Sequence, residues 1–147
     1  MNIVFGSDHG GFELKEILKK EVEKLGYQVT DYGTHSEASV DYPEYGLKVA
    51  KAVEAGEFDR GIIVCGTGIG ISISANKVEG IRCALVHDLF SAEATRLHND
   101  SNVLALGGRV VDYDLAKEIT KIWLETKYEG GRHQRRLDII SDYEKEK

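Results

Sequence analysis

The stretch Gly61-Ile62-Ile63-Val64-Cys65-Gly66-Thr67-Gly68-Ile69-Gly70 limits what this chain can fold into more than any other. Its first half is an apolar, β-branched run, the pattern of a strand buried on both faces. Its second half alternates glycines, with Cys65 at the junction. A strand that breaks into a glycine turn marks where open parallel α/β sheets hold ligands, beyond the carboxyl ends of the strands. Gly66, Gly68 and Gly70 let the backbone approach a ligand and turn several N–H groups towards one point, a concavity suited to an oxyanion or a phosphate. Cys65 adds a thiol at its rim, as base or nucleophile.

Strand and helix signals alternate on either side of this stretch. Asn2–Gly6 reads as a strand, followed by the turn Ser7-Asp8-His9-Gly10-Gly11. Leu14, Ile17, Leu18, Val22 and Leu25 then share one helical face, and Gly26 ends that helix. Tyr27–Asp31 is the second strand, and Pro43 sits in the first turn of a second helix carrying Leu47, Ala50 and Val53. Gly61–Cys65, Ile81–Val86 and Asn102–Leu106 are the remaining strands, with helices over about Asp88–Leu97 and Asp112–Glu125. Ile69–Ser74 alternates like a strand. However, a parallel crossover is usually helical and Ile69 and Ile73 stand at i, i+4, so a helix is expected there. The tail from Arg132 is charged, with Leu137, Ile139 and Ile140 as a docking face. The sum is an α/β fold: one domain over 1–147, a doubly wound sheet of about five parallel strands with helices on both faces and a C-terminal helical tail.

Composition narrows the function classes. The net charge of −6 argues against a general nucleic-acid binder or a membrane-surface protein. No apolar run approaches the roughly 20 residues that span a bilayer, and the start reads as a strand with no signal peptide. Cys65 and Cys83 show no paired spacing, so neither a disulfide framework nor a zinc site is expected. These features give a cytoplasmic reading.

The turns carry the chemistry. Asp8 and His9 follow the first strand, Cys65 and the glycine loop the third, and Gly107-Gly108-Arg109 the fifth. Loops after the strands share one sheet edge, so Asp8, His9, Cys65 and Arg109 converge. His98 and Asn99 precede a strand and lie at the opposite edge, so His98 joins that site only from a partner chain. Taken singly, each residue has a plainer role. Cys65 and Cys83 would be core residues, Asp8 a helix cap and His98 an exposed helix-end residue. Arg132, Arg135 and Arg136 would form a solvated face, and His35, His87 and His133 would be surface or capping residues. Their coincidence around glycine turns favours a site. The glycines do not complete G-x-G-x-x-G, because Ile71 takes the third position. Asp88 lies at the distance of a ribose-binding acid, as does Asp31 behind Gly6–Gly11, which leaves a dinucleotide reading open. There is no P-loop, and no carboxylate–histidine set has metal-ligand spacing.

Ser7-Asp8-His9-Gly10-Gly11, Asp41-Tyr42-Pro43, Cys65 to Gly70, Ala75-Asn76-Lys77, His98-Asn99 and Leu106-Gly107-Gly108-Arg109 together resemble ribose-5-phosphate isomerase type B. That family also contains the subunits of galactose-6-phosphate isomerase. The resemblance covers essentially the whole chain in order. It implies a Rossmann-like fold without a nucleotide, no cofactor and no metal, and a homodimer or dimer of dimers whose active sites are shared between subunits. Some relatives lack the cysteine and carry a glutamate where this chain has Ile71, so Cys65 places it with the cysteine-using branch.

The implied reaction interconverts D-ribose 5-phosphate and D-ribulose 5-phosphate through an enediolate. By resemblance, Cys65 takes the C2 proton, backbone N–H groups over Gly66, Gly68, Ile69 and Gly70 hold the enediolate oxygen, and His98 opens the furanose with help from Asp8 and Thr67. Asn99 orients sugar hydroxyls, and His9, Arg109, Arg132 and Arg136 bind the phosphate. Two alternatives stand beside this: an isomerase of allose or galactose 6-phosphate, and a non-catalytic nucleotide- or sugar-phosphate-binding module.

Overall fold

A computed structural model describes residues 1–147. Five strands, β1 (Asn2–Ser7), β2 (Gln28–Asp31), β3 (Arg60–Cys65), β4 (Cys83–Leu85) and β5 (Val103–Gly107), form one parallel sheet in the order β2-β1-β3-β5-β4. Six helices accompany them: α1 (Phe12–Lys24), α2 (Tyr42–Glu54), α3 (Ile69–Ala75), α4 (Leu89–Asn99), α5 (Tyr113–Glu125) and α6 (Arg132–Lys145). A short 3₁₀ turn, His9–Gly11, precedes α1. No helix is long and apolar enough to cross a membrane.

The apolar strands are continuous because both faces are covered. Ile3, Phe5, Ile62, Val64, Leu104 and Leu106 point to one side, where they pack with Leu14, Leu18, Ala116, Ile119 and Trp123 of α1 and α5. Val4, Ile63, Cys65, Val103 and Ala105, the alternate residues, pack on the other side against Val49 and Val53 of α2 and Ile71 and Ala75 of α3. The period of two along each strand thus sorts side chains between two helical layers. Cys65, last in β3, faces the α2–α3 layer.

The strand order sets where a site forms. The chain runs outward from β1 to β2 and returns across β1 to β3, so the connections leaving β1 and β3 part in opposite directions. The loop after β3 is tied to its neighbours by backbone hydrogen bonds. Gly108 N–H donates to Cys65 C=O at 2.8 Å, Arg109 N–H to Gly66 C=O at 3.0 Å, and Asp8 N–H to Val64 C=O at 3.2 Å.

Three expectations change. The fourth strand shrinks from Ile81–Val86 to Cys83–Leu85 because it is an edge. On its open side the Asn76 amide takes the place of a neighbouring strand, accepting from Cys83 N–H at 2.8 Å and donating to Cys83 C=O at 3.0 Å. Cys83 therefore begins the strand and is only partly buried. Ile69–Ser74 is helical as expected, but Ile69 and Ile73 face outward and Ile71 and Ala75 supply the buried side. In the tail helix Leu137 docks while Ile139 and Ile140 stay exposed.

Candidate active site

Asp8, Cys65, Gly66, Thr67, Ile69, Gly70 and Arg109 line one cleft of about 490 Å³ at the carboxyl edge of the sheet, together with Tyr42 and Ile73. The Cys65 Sγ accepts the Gly68 N–H at 3.1 Å, and Cys65 is otherwise buried. Gly68 lies beneath the cleft at φ +79°, a left-handed conformation that favours glycine. A Cβ there would also stand 2.5 Å from Leu85 Cδ1 and 2.8 Å from the Leu106 carbonyl carbon.

The turn does not present all of its N–H groups to a ligand. Gly68 N–H serves Cys65, and Ile69 N–H donates to the Thr67 hydroxyl at 3.2 Å. The N–H groups of Gly66, Thr67 and Gly70 have no protein acceptor and remain for an anion.

Asp8 is buried and caps the 3₁₀ turn, accepting from Gly11 N–H at 3.1 Å through Oδ1, so the plainer role foreseen for it is realised while it also lines the cleft. His9 is half-buried and its Nδ1 accepts from Val40 N–H at 3.1 Å, which places it beside the cleft rather than in its lining. Arg109 is exposed and its guanidinium lies against the Gly10–Gly66 contact.

His98, Asn99, Arg132 and Arg136 lie elsewhere. α4 runs back from the end of β4 to the start of β5, so its last turn sits at the amino edge of the sheet. The six residues of β3 alone put about 16 Å between the two edges. At that amino edge the His98 ring stacks on His133, with centroids 4.5 Å apart and planes at 25°. Arg132 and Arg136, four residues apart at the start of α6, are both exposed beside His133. Asn99 is exposed on a second cavity of about 510 Å³ shared with Cys83, Leu137 and Ile140, and its carbonyl accepts from Arg82 Nε at 2.9 Å. Within one chain, therefore, the Cys65 cleft and the His98–Arg136 group lie at opposite edges of the sheet.

Several functional residues escaped sequence reasoning. Tyr42 and Ile73 line the cleft; the Asp41-Tyr42-Pro43 motif was the available signal for the first. His87 is half-buried and takes the capping role: its Nε2 accepts the Gly107 N–H at 3.0 Å and fixes the turn that carries Arg109. Burial holds the His87 imidazole below the ordinary histidine range, against the pull of Asp88, which keeps it a neutral acceptor. His133 is buried, contrary to expectation, and it forms with His98 and Glu129 a carboxylate–histidine cluster that spacing did not show. The acids of the dinucleotide reading are occupied: Asp88 caps α4 through Ser91 N–H at 2.7 Å, and Asp31 pairs with Lys15 and Lys19.

Comparison with known proteins identifies the fold and the family. The family model described as Ribose/Galactose Isomerase matches residues 3–140. The chain is 51% identical to ribose-5-phosphate isomerase B of Escherichia coli, over 97% of this chain and 95% of the relative. The structure of Clostridium thermocellum ribose-5-phosphate isomerase B superposes with a TM-score of 0.98 at 54% identity, covering 99% of both chains. That of the Mycoplasma genitalium enzyme with bound ribulose-5-phosphate gives a TM-score of 0.94 at 40% identity, covering 99% of this chain and 97% of the other. The fold, the cleft and these matches together place the chain in the ribose/galactose isomerase family.

Proposed function

We propose that the chain is a ribose-5-phosphate isomerase, a single sugar-phosphate isomerase domain over 1–147 interconverting D-ribose 5-phosphate and D-ribulose 5-phosphate. The observation that carries this reading is the position of Cys65, with its sulfur at the floor of a cleft whose rim holds unengaged N–H groups and an arginine, in a chain with these relatives. As thiolate, Cys65 accepts the C2 proton of the open-chain aldose. The electron pair left behind forms the C1–C2 double bond of an enediolate, whose oxygen is held by the N–H groups of Gly66, Thr67 and Gly70. Delivery of the proton to C1, with the O2 hydroxyl proton passed to O1, gives the ketose. C1 is reduced as C2 is oxidised, so the redox change is internal to the sugar and the step needs no outside oxidant, reductant or cofactor.

Ring opening needs a second acid–base group, the role given to His98, with Asp8 and Thr67 assisting from the cleft. The separation of the two half-sites supports a homodimer in which His98, Asn99, Arg132 and Arg136 of one subunit complete the cleft of the other. Arg109 and the α6 arginines then clamp the phosphate dianion with His9 beside them. The exposed apolar residues Ile69, Ile73, Leu85, Leu89 and Phe90, on α3, β4 and α4, support such an association. Both cysteines are free, in keeping with a reducing cytoplasm.

The direct test is ketose formation from ribose 5-phosphate with EDTA present. Sustained turnover is expected. Turnover on allose or galactose 6-phosphate alone would move the substrate to six carbons, and none on any aldose phosphate would leave a binding module.

A further inference from the structure

His98, Glu129 and His133 make a second cluster of chemical groups, and the isomerisation leaves two of its members unused. His98 lies in the last turn of α4, while Glu129 stands in the loop before α6 and His133, four residues on, in its first turn. The two segments are fastened together. Glu129 N–H donates to Leu97 C=O at 3.1 Å, and Arg96 Nε donates to Thr126 C=O at 3.1 Å. Gly130 and Gly131, at φ +71° and +59°, turn the chain so that both side chains return to His98.

The His133 Nε2 has no hydrogen-bond partner although the residue is 5% exposed. Glu129 Oε2 lies 3.8 Å from it, beyond hydrogen-bond reach. Buried polar atoms are nearly always paired, so an orphaned ring nitrogen asks for a ligand. One ligand atom from each of His98, Glu129 and His133 lies within 4.8 Å of the others.

We propose that His98, Glu129 and His133 form a binding site for a borderline divalent transition-metal ion of the zinc class. Two imidazoles and one carboxylate, with an open fourth position, are a donor set that such ions take. Bonds of about 2.0–2.1 Å are reached by rotation of the exposed His98 and Glu129 side chains while His133 stays fixed. Arg132 and Arg136 oppose the cation, so the ion is exchangeable and is removed by chelators. The site is inhibitory and takes no part in the chemistry: the ion occupies the His98 lone pair that ring opening uses. That consequence rests on the role given to His98 above; the site itself does not.

The experiment uses the full-length, chelator-treated protein titrated with Zn²⁺ alone by calorimetry and with Co²⁺ by absorption spectroscopy. One ion per chain is expected, with a cobalt spectrum free of sulfur-to-metal charge transfer. Glu129→Gln, at a residue about half exposed, should weaken binding by more than the roughly 10–100-fold that outer-shell changes alone cause. His133→Gln should do the same, with circular dichroism reporting on its fold. Unchanged affinity in Glu129→Gln, or a charge-transfer band marking a cysteine ligand, overturns the proposal. In the same samples Zn²⁺ should inhibit turnover of ribose 5-phosphate, and Glu129→Gln should resist that inhibition. Binding that depends on Glu129 but leaves turnover untouched supports the site and contradicts the role of His98.

Discussion

The Cys65 sulfur accepts the Gly68 N–H across the turn that joins β3 to α3, at 3.1 Å. This contact fixes the sulfur in the turn that borders the cleft. Cys83 has no such partner, and burial pushes its thiol well above the ordinary cysteine range.

The two thiols should therefore separate chemically. Iodoacetamide should modify one cysteine per chain, Cys65, and ribose 5-phosphate should protect it. Cys83 should react only on unfolding. Peptide mapping by mass spectrometry reads both, and prior labelling of Cys83 in the folded protein would contradict this assignment.

The α6 arginines should act on the phosphate alone. Arg136→Ala should raise KM for ribose 5-phosphate by the loss of one charge-assisted contact, about 1.5–3 kcal/mol. Stability should be unchanged, because the side chain is exposed. Any measurable activity on unphosphorylated pentose should barely move. An unaltered KM would return Arg136 to the solvated face.

The half-site arrangement predicts complementation. Mixing inactive Cys65→Ala with inactive His98→Asn chains should restore activity, because a mixed dimer contains one site with both residues intact. About half of the sites in such dimers should work if sites act independently. Demonstrated subunit exchange without recovery would place both residues in one chain's site.

Stability should depend on a buried ion pair far from the cleft. Lys15 is fully buried and its ammonium meets Asp31 at 2.5 Å, with Lys19 at 2.7 Å on the same oxygen. Burial alone would raise the Asp31 carboxyl, but hydrogen bonds from Lys15, Lys19 and Gly33 N–H hold it below the usual carboxylate range. The native state thus binds this proton less readily than the unfolded chain. Its stabilisation is complete above the unfolded value, about 3.9, and disappears as pH falls through the lower native value. Asp31→Asn should cost up to about 3–5 kcal/mol at neutral pH, because Lys15 then keeps only the Glu16 carboxylate at 3.3 Å, and its stability should fall less on acidification than that of the wild type. Urea unfolding at two pH values measures both.

Which parts of this molecule were legible in the sequence follows from how local each signal is. The strands β1, β3 and β5 announce themselves because burial on both faces demands unbroken apolar runs, and Gly66–Gly70 marks the ligand edge by backbone needs alone. β4 was overestimated because Ile81 and Val86 are apolar for packing rather than for pairing, and an edge strand has only one neighbour to define its ends. The outward turn of Ile69 and Ile73 was hidden because i, i+4 spacing specifies a helix but not which side is buried. His133 was read as a surface residue because its burial comes from His98, 35 positions earlier and on another helix. The placement of His98 at the sheet edge opposite Cys65 was legible from chain order, since it needs only the direction of each strand.

The central claim is that Cys65 moves the C2 proton, and exchange of that proton with deuterated solvent reads this step without waiting for product release. Cys65→Ala should lose about 10²–10⁴-fold in exchange, the usual contribution of a general base, while phosphate-dependent affinity changes little. Cys65→Ser should be nearly as slow. Exchange at the wild-type rate in Cys65→Ala would mean that another group is the base and that the cysteine of the glycine turn is only packing.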